Sequence, residues 1–383
     1  MCRRNRGAAG PLTPAHRFSA RRGARFGTPP ARPPGPGTGA RGGPMSEPNP
    51  PGLDLARLRE YLDHERPGLV TGPLTAQVIE GGRSNLTYVV GDGTHRWVVR
   101  RPPLGHVLPT AHDMTREHRV LSALGPTAVP VPPTVLLCTD ESVLGARFYV
   151  MDHVEGTPFR RADELAVRGP ERTRGIACAL IDTLADLHAV DFTSVGLADF
   201  GRPEGYLDRQ LRRWAKQLEG SRSRDIPGID RLHERLAARQ PASPEPAIVH
   251  GDYRLDNVLV GDDDAITAVL DWEMSTLGDP LTDVALMVAY SERQALGEHV
   301  SDVTEAPGYP GTDELVARYT ARSGRDTSAL NWYVGFAFFK LAVILEGIYY
   351  RFSQGQTVGE GFDTIGAGVA PLVARGNAVI EED

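Results

Sequence analysis

The segment from Ile248 to Glu273 constrains this chain more than any other. It reads Ile-Val-His250-Gly-Asp252-Tyr-Arg254-Leu-Asp-Asn257-Val-Leu-Val, and a later apolar run ends in Leu270-Asp271-Trp272-Glu273. Val258 to Val260 and Ala265 to Leu270 have the pattern of short strands, and Gly261-Asp-Asp-Asp264 between them suits a hairpin turn. Such a hairpin delivers Asn257 and Asp271 to a common site at its open end. Asp252 and Arg254 lie on the loop that feeds the same end. Phosphoryl transfer from a nucleotide needs a carboxylate to orient and deprotonate the acceptor hydroxyl, oxygen ligands for magnesium, and positive charge on the moving group. These residues supply each of those roles. A purely structural reading stays open at this point: Asp252 capping a turn, Asn257 in a left-handed position, Asp271 ending a strand.

Protein kinases carry a loop in which Asn follows the Asp by five residues, and then a Mg-binding Asp at a strand end. Asp252 and Asn257 have that spacing, and Asp271 stands where the Mg-binding Asp belongs, with Trp272-Glu273 in place of Phe-Gly. The form His250-Gly-Asp252-x-x-x-x-Asn257, then Leu270-Asp271-Trp272-Glu273, then Gly278-Asp279-Pro280-x-x-Asp283 resembles the aminoglycoside phosphotransferase and choline kinase families of small-molecule kinases. Within these it looks most like the kinase-like domain that some proteins fuse to an acyl-CoA dehydrogenase. The resemblance implies a protein-kinase-like two-lobed α+β fold, with a small antiparallel-sheet lobe over residues 49–155 and a mainly helical lobe over 156–383.

The upstream half carries strand and helix patterns in the order that such a lobe needs. Leu55, Leu58 and Leu62 fall near one helical face, and Pro67-Gly68 ends that helix. Leu74 to Ile79 and Leu86 to Val90 read as strands around Gly81-Gly82-Arg83-Ser84-Asn85, a small-residue loop whose backbone N–H groups suit phosphate. A plain hairpin turn fits Gly81, Gly82, Ser84 and Asn85 as well. On the strand from Arg96 to Arg101, alternation puts Val98 and Arg100 on one face and Arg101 on the other. By resemblance Arg100 contacts the nucleotide phosphates and pairs with a helical Glu; a solvated edge-strand Arg pair is the alternative. In the helix Met114 to Leu124, Glu117 precedes the apolar face of Val120, Leu121 and Leu124, and either points inward toward Arg100 or lies on the surface. The strand from Phe148 through Met151 runs into Glu155-Gly156, and by resemblance it is the hinge that holds adenine.

Composition narrows the function classes. Forty per cent hydrophobic and 24% charged residues over 383 positions suit a globular protein of more than one unit. Residues 1–48 read as a disordered Arg/Pro/Gly-rich extension, and Met45-Ser-Glu-Pro looks like a natural start. Nine Arg and no acid before residue 45 mask a formal charge that is −7 for the whole chain and −16 beyond that point, so a general nucleic-acid binder is not expected. Cys2, Cys138 and Cys178 fit no disulfide or metal spacing, which suits a reducing cytoplasm. Asp262 to Asp264 reads as a solvated turn rather than a calcium loop. Asn331 to Phe352 is apolar and aromatic, but Lys340 and Glu346 interrupt it, so a buried core helix or pocket wall is expected rather than a membrane span.

Asp279 and Pro280 read as the N-cap and first residue of a helix through Ala289, and Asp283, inside it, needs partners that the backbone amides of the Asp252 loop can provide. The expected mechanism sets ATP between the lobes. Asn257 and Asp271 hold Mg²⁺, Asp252 faces the substrate hydroxyl, Arg254 and Arg100 offset phosphate charge, and His250 steadies the loop. The substrate is a small molecule with a hydroxyl, and the fused-domain resemblance points to a hydroxyacyl-CoA. An aminoglycoside or amino alcohol, a nucleotide-binding pseudokinase module and a metal-dependent phosphoester hydrolase are the alternatives.

Overall fold

Asp54 caps the first helix, α1 (Leu55–Glu65): its carboxylate accepts from the Ala56 and Arg57 N–H groups, donors that a first helical turn leaves unpaired. The computed structural model describes residues 49–79, 85–105, 112–292, 301–356, 362 and 364–381. The expected N-terminal extension and Gly81, Gly82 and Ser84 therefore lie outside the described residues. Leu58 and Leu62 of α1 are fully buried, as their spacing predicts. Each such burial is worth about 1.5–3 kcal/mol.

Five strands follow that helix in an antiparallel sheet. They are β1 (Thr75–Val78), β2 (Leu86–Gly91), β3 (Arg96–Arg101), β4 (Thr134–Cys138) and β5 (Phe148–Asp152), in the order β1-β2-β3-β5-β4. A short helix, α3 (Glu141–Leu144), links β4 to β5, and α2 (Met114–Leu124) precedes β4. Alternation divides the two faces. Trp97 and Val99 pack with Tyr88, Val150 and the α1 leucines, whereas Val98 and Met151 pack with Val120, Leu121 and Leu124 of α2. Arg100 shares the α2 face. Because β3 is the middle strand, neither arginine is a solvated edge residue, which corrects that alternative. Arg101 is buried on the α1 side, where its guanidinium donates to Gly52 O at 2.5 Å and Leu144 O at 2.8 Å.

The remainder is mainly helical. It contains α4 (Ala162–Ala166), α5 (Pro170–Ala189), α6 (Tyr206–Ser221), α7 (Ile229–Ala238), α8 (Leu281–Ser291), α9 (Thr312–Ser323), α10 (Leu330–Ser353) and α11 (Val369–Glu381). Strands β6 (Ala247–Val249), β7 (Val258–Val260), β8 (Ile266–Val269) and β9 (Thr276–Gly278) stand between α7 and α8. β7 and β8 form the expected hairpin, and β6 pairs antiparallel with β9, Val249 opposite Thr276. This second ladder clamps both ends of residues 250–275. The Asp264 end of the hairpin turn is not free in solvent, because Arg172 forks onto its carboxylate at 2.6 and 2.7 Å.

α10 is the one described helix long and apolar enough to cross a membrane, yet 72% of its apolar window is buried inside the protein. Trp332, Phe336, Phe338 and Phe339 lie in the core. Glu346, fully buried, is matched by Arg224 at 2.9 Å and by the Ser223 hydroxyl at 3.0 Å. A buried carboxylate with two such donors belongs to a core helix.

Candidate active site

The loop after β6 is built around Gly251 and Asp283. Gly251 adopts φ +88°, and a Cβ there would lie 2.8 Å from Met274 Cβ and 2.9 Å from Met274 O. Only glycine fits that conformation and that gap. Asp283, fully buried in α8, accepts from His250 N–H at 2.7 Å and Gly251 N–H at 2.8 Å, and meets His188 Nε2 at 3.3 Å. Burial alone would raise the Asp283 carboxyl, but the hydrogen bond of His188 and the Gly251 N–H help to hold it below the usual aspartate range. The expected support of the loop by Asp283 is therefore present in the geometry. His250 Nε2 lies 2.8 Å from Leu270 O, which can only accept, so that nitrogen carries the proton and Nδ1 accepts from Asp252 N–H at 3.3 Å. The ring joins two loops and is fully buried, in keeping with a holding role.

Asp252 follows directly. A 3₁₀ turn over Leu255–Asn257 brings Asn257 back so that its Nδ2 donates to Asp252 O at 2.8 Å and Asp252 Oδ2 at 2.9 Å. Arg254 lies between two carboxylates, with Nε 3.4 Å from Asp252 Oδ2 and Nη2 3.0 Å from Asp256 Oδ2. Burial opposes the Arg254 charge, and Asp252 and Asp256 more than offset it. The other Asp252 oxygen, Oδ1, accepts from the Tyr290 hydroxyl at 3.1 Å.

Across from this loop, Asp271 ends the hairpin in the left-handed region at φ +63°, a conformation that costs a non-glycine residue energy and clusters at functional sites. Its Oδ1 accepts from Arg100 Nη2 at 2.6 Å. Arg100 Nε lies 2.9 Å from Glu117 Oε2, an ion pair rather than an aligned hydrogen bond. Glu117 points inward and is 1% exposed. Its carboxylate also accepts from Tyr149 OH at 3.0 Å and Asn85 Nδ2 at 3.1 Å. Burial pushes the Glu117 carboxyl up to about 7 against the pull of Arg100. Asn85 reaches Glu273 as well, at 3.3 Å, so the end of the small-residue loop is tied to the Asp271 turn. Met151 is buried inside the sheet between Val98 and Thr134, and the chain leaves the sheet after Asp152.

The structure thus gathers Asn85, Arg100, Glu117 and Asp271 in one cluster and His250, Asp252, Arg254 and Asn257 in a second, with Leu270 N donating to Asn257 O at 2.8 Å between them. Three participants were not read from the sequence. Tyr149 and Tyr290 each hold a site carboxylate, and Lys340 donates from α10 to Gly251 O at 3.3 Å. Tyr290 follows Asp283 by seven residues, two helical turns, and that spacing was the available signal. Lys340 looked only like an interruption in an apolar run.

Comparison with known proteins bears on the family and the fold. The model of the phosphotransferase enzyme family matches residues 75–327. Acyl-CoA dehydrogenase family member 11 of Rattus norvegicus is 37% identical over 337 residues, covering 85% of this chain and 43% of that protein. The chain therefore spans less than half the length of this relative. A Ralstonia eutropha structure assigned to the aminoglycoside phosphotransferases superposes with a TM-score of 0.74 at 31% identity, covering 86% of this chain and 98% of that one. A thermostable variant of aminoglycoside phosphotransferase APH(4)-Ia, solved with ADP and hygromycin B, shares the fold at 15% identity and a TM-score of 0.54, over 84% of this chain and 97% of its own. With its antiparallel-sheet lobe, its helical lobe and the loop that joins Asp252 to Asn257, the chain belongs to the phosphotransferase enzyme family.

Proposed function

We propose that this chain moves the γ-phosphoryl group of ATP to a hydroxyl of a small molecule, with Asp252 taking the acceptor's proton. The observation that carries this reading is the carboxylate of Asp252, oriented through Oδ2 by Asn257 and offering Oδ1 to a hydroxyl at 3.1 Å. A general base works from that distance.

The residues also fit magnesium. Asn257 commits its amide nitrogen to Asp252, which leaves Oδ1 as its ligand atom, and Asp271 contributes a carboxylate. Among the described residues no three His, Cys, Asp or Glu side chains form a metal cluster. A pair of protein oxygens completed by phosphate and water is the usual magnesium arrangement in phosphoryl transfer. When bound, Mg²⁺ supplies positive charge against the phosphate oxygens. Arg100 and Arg254 add to it, and His250 and Asp283 hold the loop so that Asp252 stays aimed. Asn85 stands where the small-residue loop of the sequence pattern would meet the phosphates, and Met151 lies on the strand that would lead to the adenine edge.

For the acceptor we infer a hydroxyacyl-CoA. Support comes from the named relative, an acyl-CoA dehydrogenase family member. An ATP-consumption screen across hydroxyacyl-CoAs, amino alcohols, sugars and aminoglycosides tests that choice, and turnover confined to aminoglycosides would overturn it. With the active acceptor, Asp252→Ala is expected to lose about 10²–10⁴-fold in turnover while nucleotide binding persists. Near-full transfer by Asp252→Ala would end the assignment.

A further inference from the structure

The two oxygens of Asp252 are used differently. Oδ2 accepts from Asn257 at 2.9 Å and lies 3.4 Å from Arg254, whereas the side-chain partner of Oδ1 is the Tyr290 hydroxyl at 3.1 Å. A base in phosphoryl transfer needs one oxygen within about 2.6–3.2 Å of the hydroxyl that it deprotonates. Tyr290 fills that place with a group of the same kind, an O–H on carbon. Its ring is held from two sides. α8 carries it two turns beyond Asp283, which is pinned to the loop by the His250 and Gly251 N–H groups, and the Arg254 guanidinium sits 5.3 Å from the ring centroid. Burial, and then the charge of Asp252, push the phenol well above its ordinary pKa, so it remains a donor.

We propose that Tyr290 is a place-holder for the acceptor: its hydroxyl occupies Asp252 Oδ1 until a bound substrate hydroxyl displaces it, and it thereby keeps water from serving as acceptor. The proposal rests on Asp252 being the base. Displacement by an alcohol exchanges one O–H···O⁻ bond for another, and the rest of the bound substrate supplies the binding energy to drive it. Water brings no such contacts. The step held back is attack of a water oxygen on the γ-phosphorus, with the water proton passing to Asp252 and the bond to the bridging oxygen breaking to release ADP and phosphate. Tyr290 is on this account a specificity-determining residue that selects a bound alcohol over solvent.

The test is ADP release from MgATP with water as the sole acceptor, measured on the full chain for the parent, Tyr290→Phe, Asp252→Asn and the double variant. Phenylalanine keeps the ring and removes only the hydroxyl. Tyr290→Phe is expected to raise hydrolysis about tenfold, the factor that one hydrogen bond to a charged group is worth, and Asp252→Asn is expected to remove the gain. Hydrolysis that is unchanged or slower in Tyr290→Phe overturns the place-holder and leaves Tyr290 as a residue that orients Asp252. A gain that survives Asp252→Asn overturns it by a different route, because Asp252 is then not the base. Phosphate found on Tyr290 by mass spectrometry of the parent after incubation with MgATP also overturns it, since the phenol would itself be an acceptor.

Discussion

Arg100 and Asp271 meet at 2.6 Å although 171 residues separate them in sequence. The same guanidinium lies 2.9 Å from Glu117, so one side chain joins β3, α2 and the end of the β7–β8 hairpin. Burial opposes its charge, and Glu117 and Asp271 more than offset that cost. Lysine would keep the charge but not the planar fork. Arg100→Lys is expected to weaken MgATP binding at least about tenfold, from loss of one charge-assisted hydrogen bond. Titration calorimetry reads this directly, and an unchanged Kd would remove Arg100 from the nucleotide site.

Glu117 gives the free protein a pH dependence of defined sign. Its carboxyl rises from the usual 4.5 to about 7 on folding, so between those values the folded state binds more protons than the unfolded one. Stability therefore falls as pH rises through that window and levels off above it, by on the order of 3 kcal/mol for the whole shift. Asp279, pushed up to about 6 by burial, acts in the same direction. Urea midpoints at pH 5 and pH 7.5 should differ accordingly, and Glu117→Gln should flatten most of the difference. An equal slope in that variant would show that the proton resides elsewhere.

Gly251 offers a test of the loop that leaves the chemistry of its side chains intact. Alanine would have to adopt φ +88° with its Cβ 2.8 Å from Met274 Cβ. The left-handed conformation alone costs about 1–3 kcal/mol, and the contact adds to it. Gly251→Ala is expected to lower stability by at least that amount and to reduce turnover further, because Asp252 is the next residue. Full activity at parental stability would mean that the loop position matters little to the reaction.

Much of this site was legible because its chemistry follows sequence spacing. Asp252, Asn257 and Asp271 sit on a hairpin and its feeding loop, so counting residues located them, and the 3.6-residue period placed Glu117 beside the apolar face of α2. Other parts were legible only in space. β6 and β9 are three residues each and entirely or largely buried, too short to show alternation. Arg101 resembles a solvated strand residue in sequence, but its backbone-carbonyl partners come from Gly52 and Leu144, far apart along the chain. Tyr149 and Tyr290 carry no motif. Their phenols matter because of carboxylates that the fold brings to them.

Asp283 supports the last prediction. It is fully buried and accepts from the N–H groups of His250 and Gly251, the two residues that precede Asp252. Asparagine keeps the shape but puts an NH₂ where one of those donors needs an acceptor, which leaves a buried N–H unpaired at a cost of about 1–3 kcal/mol. Alanine strands both N–H groups and removes the partner of His188 Nε2, so its cost is expected at about 3–5 kcal/mol. The order parent, Asp283→Asn, Asp283→Ala should appear in chemical-denaturation midpoints. Turnover should fall in the same order with nucleotide affinity less affected, since in the proposed mechanism the anchored residues aim Asp252 at the acceptor rather than hold the nucleotide. If Asp283→Ala matched the parent in both midpoint and turnover, the loop would be held without Asp283, by the β6–β9 ladder and the contacts of His250 and Lys340.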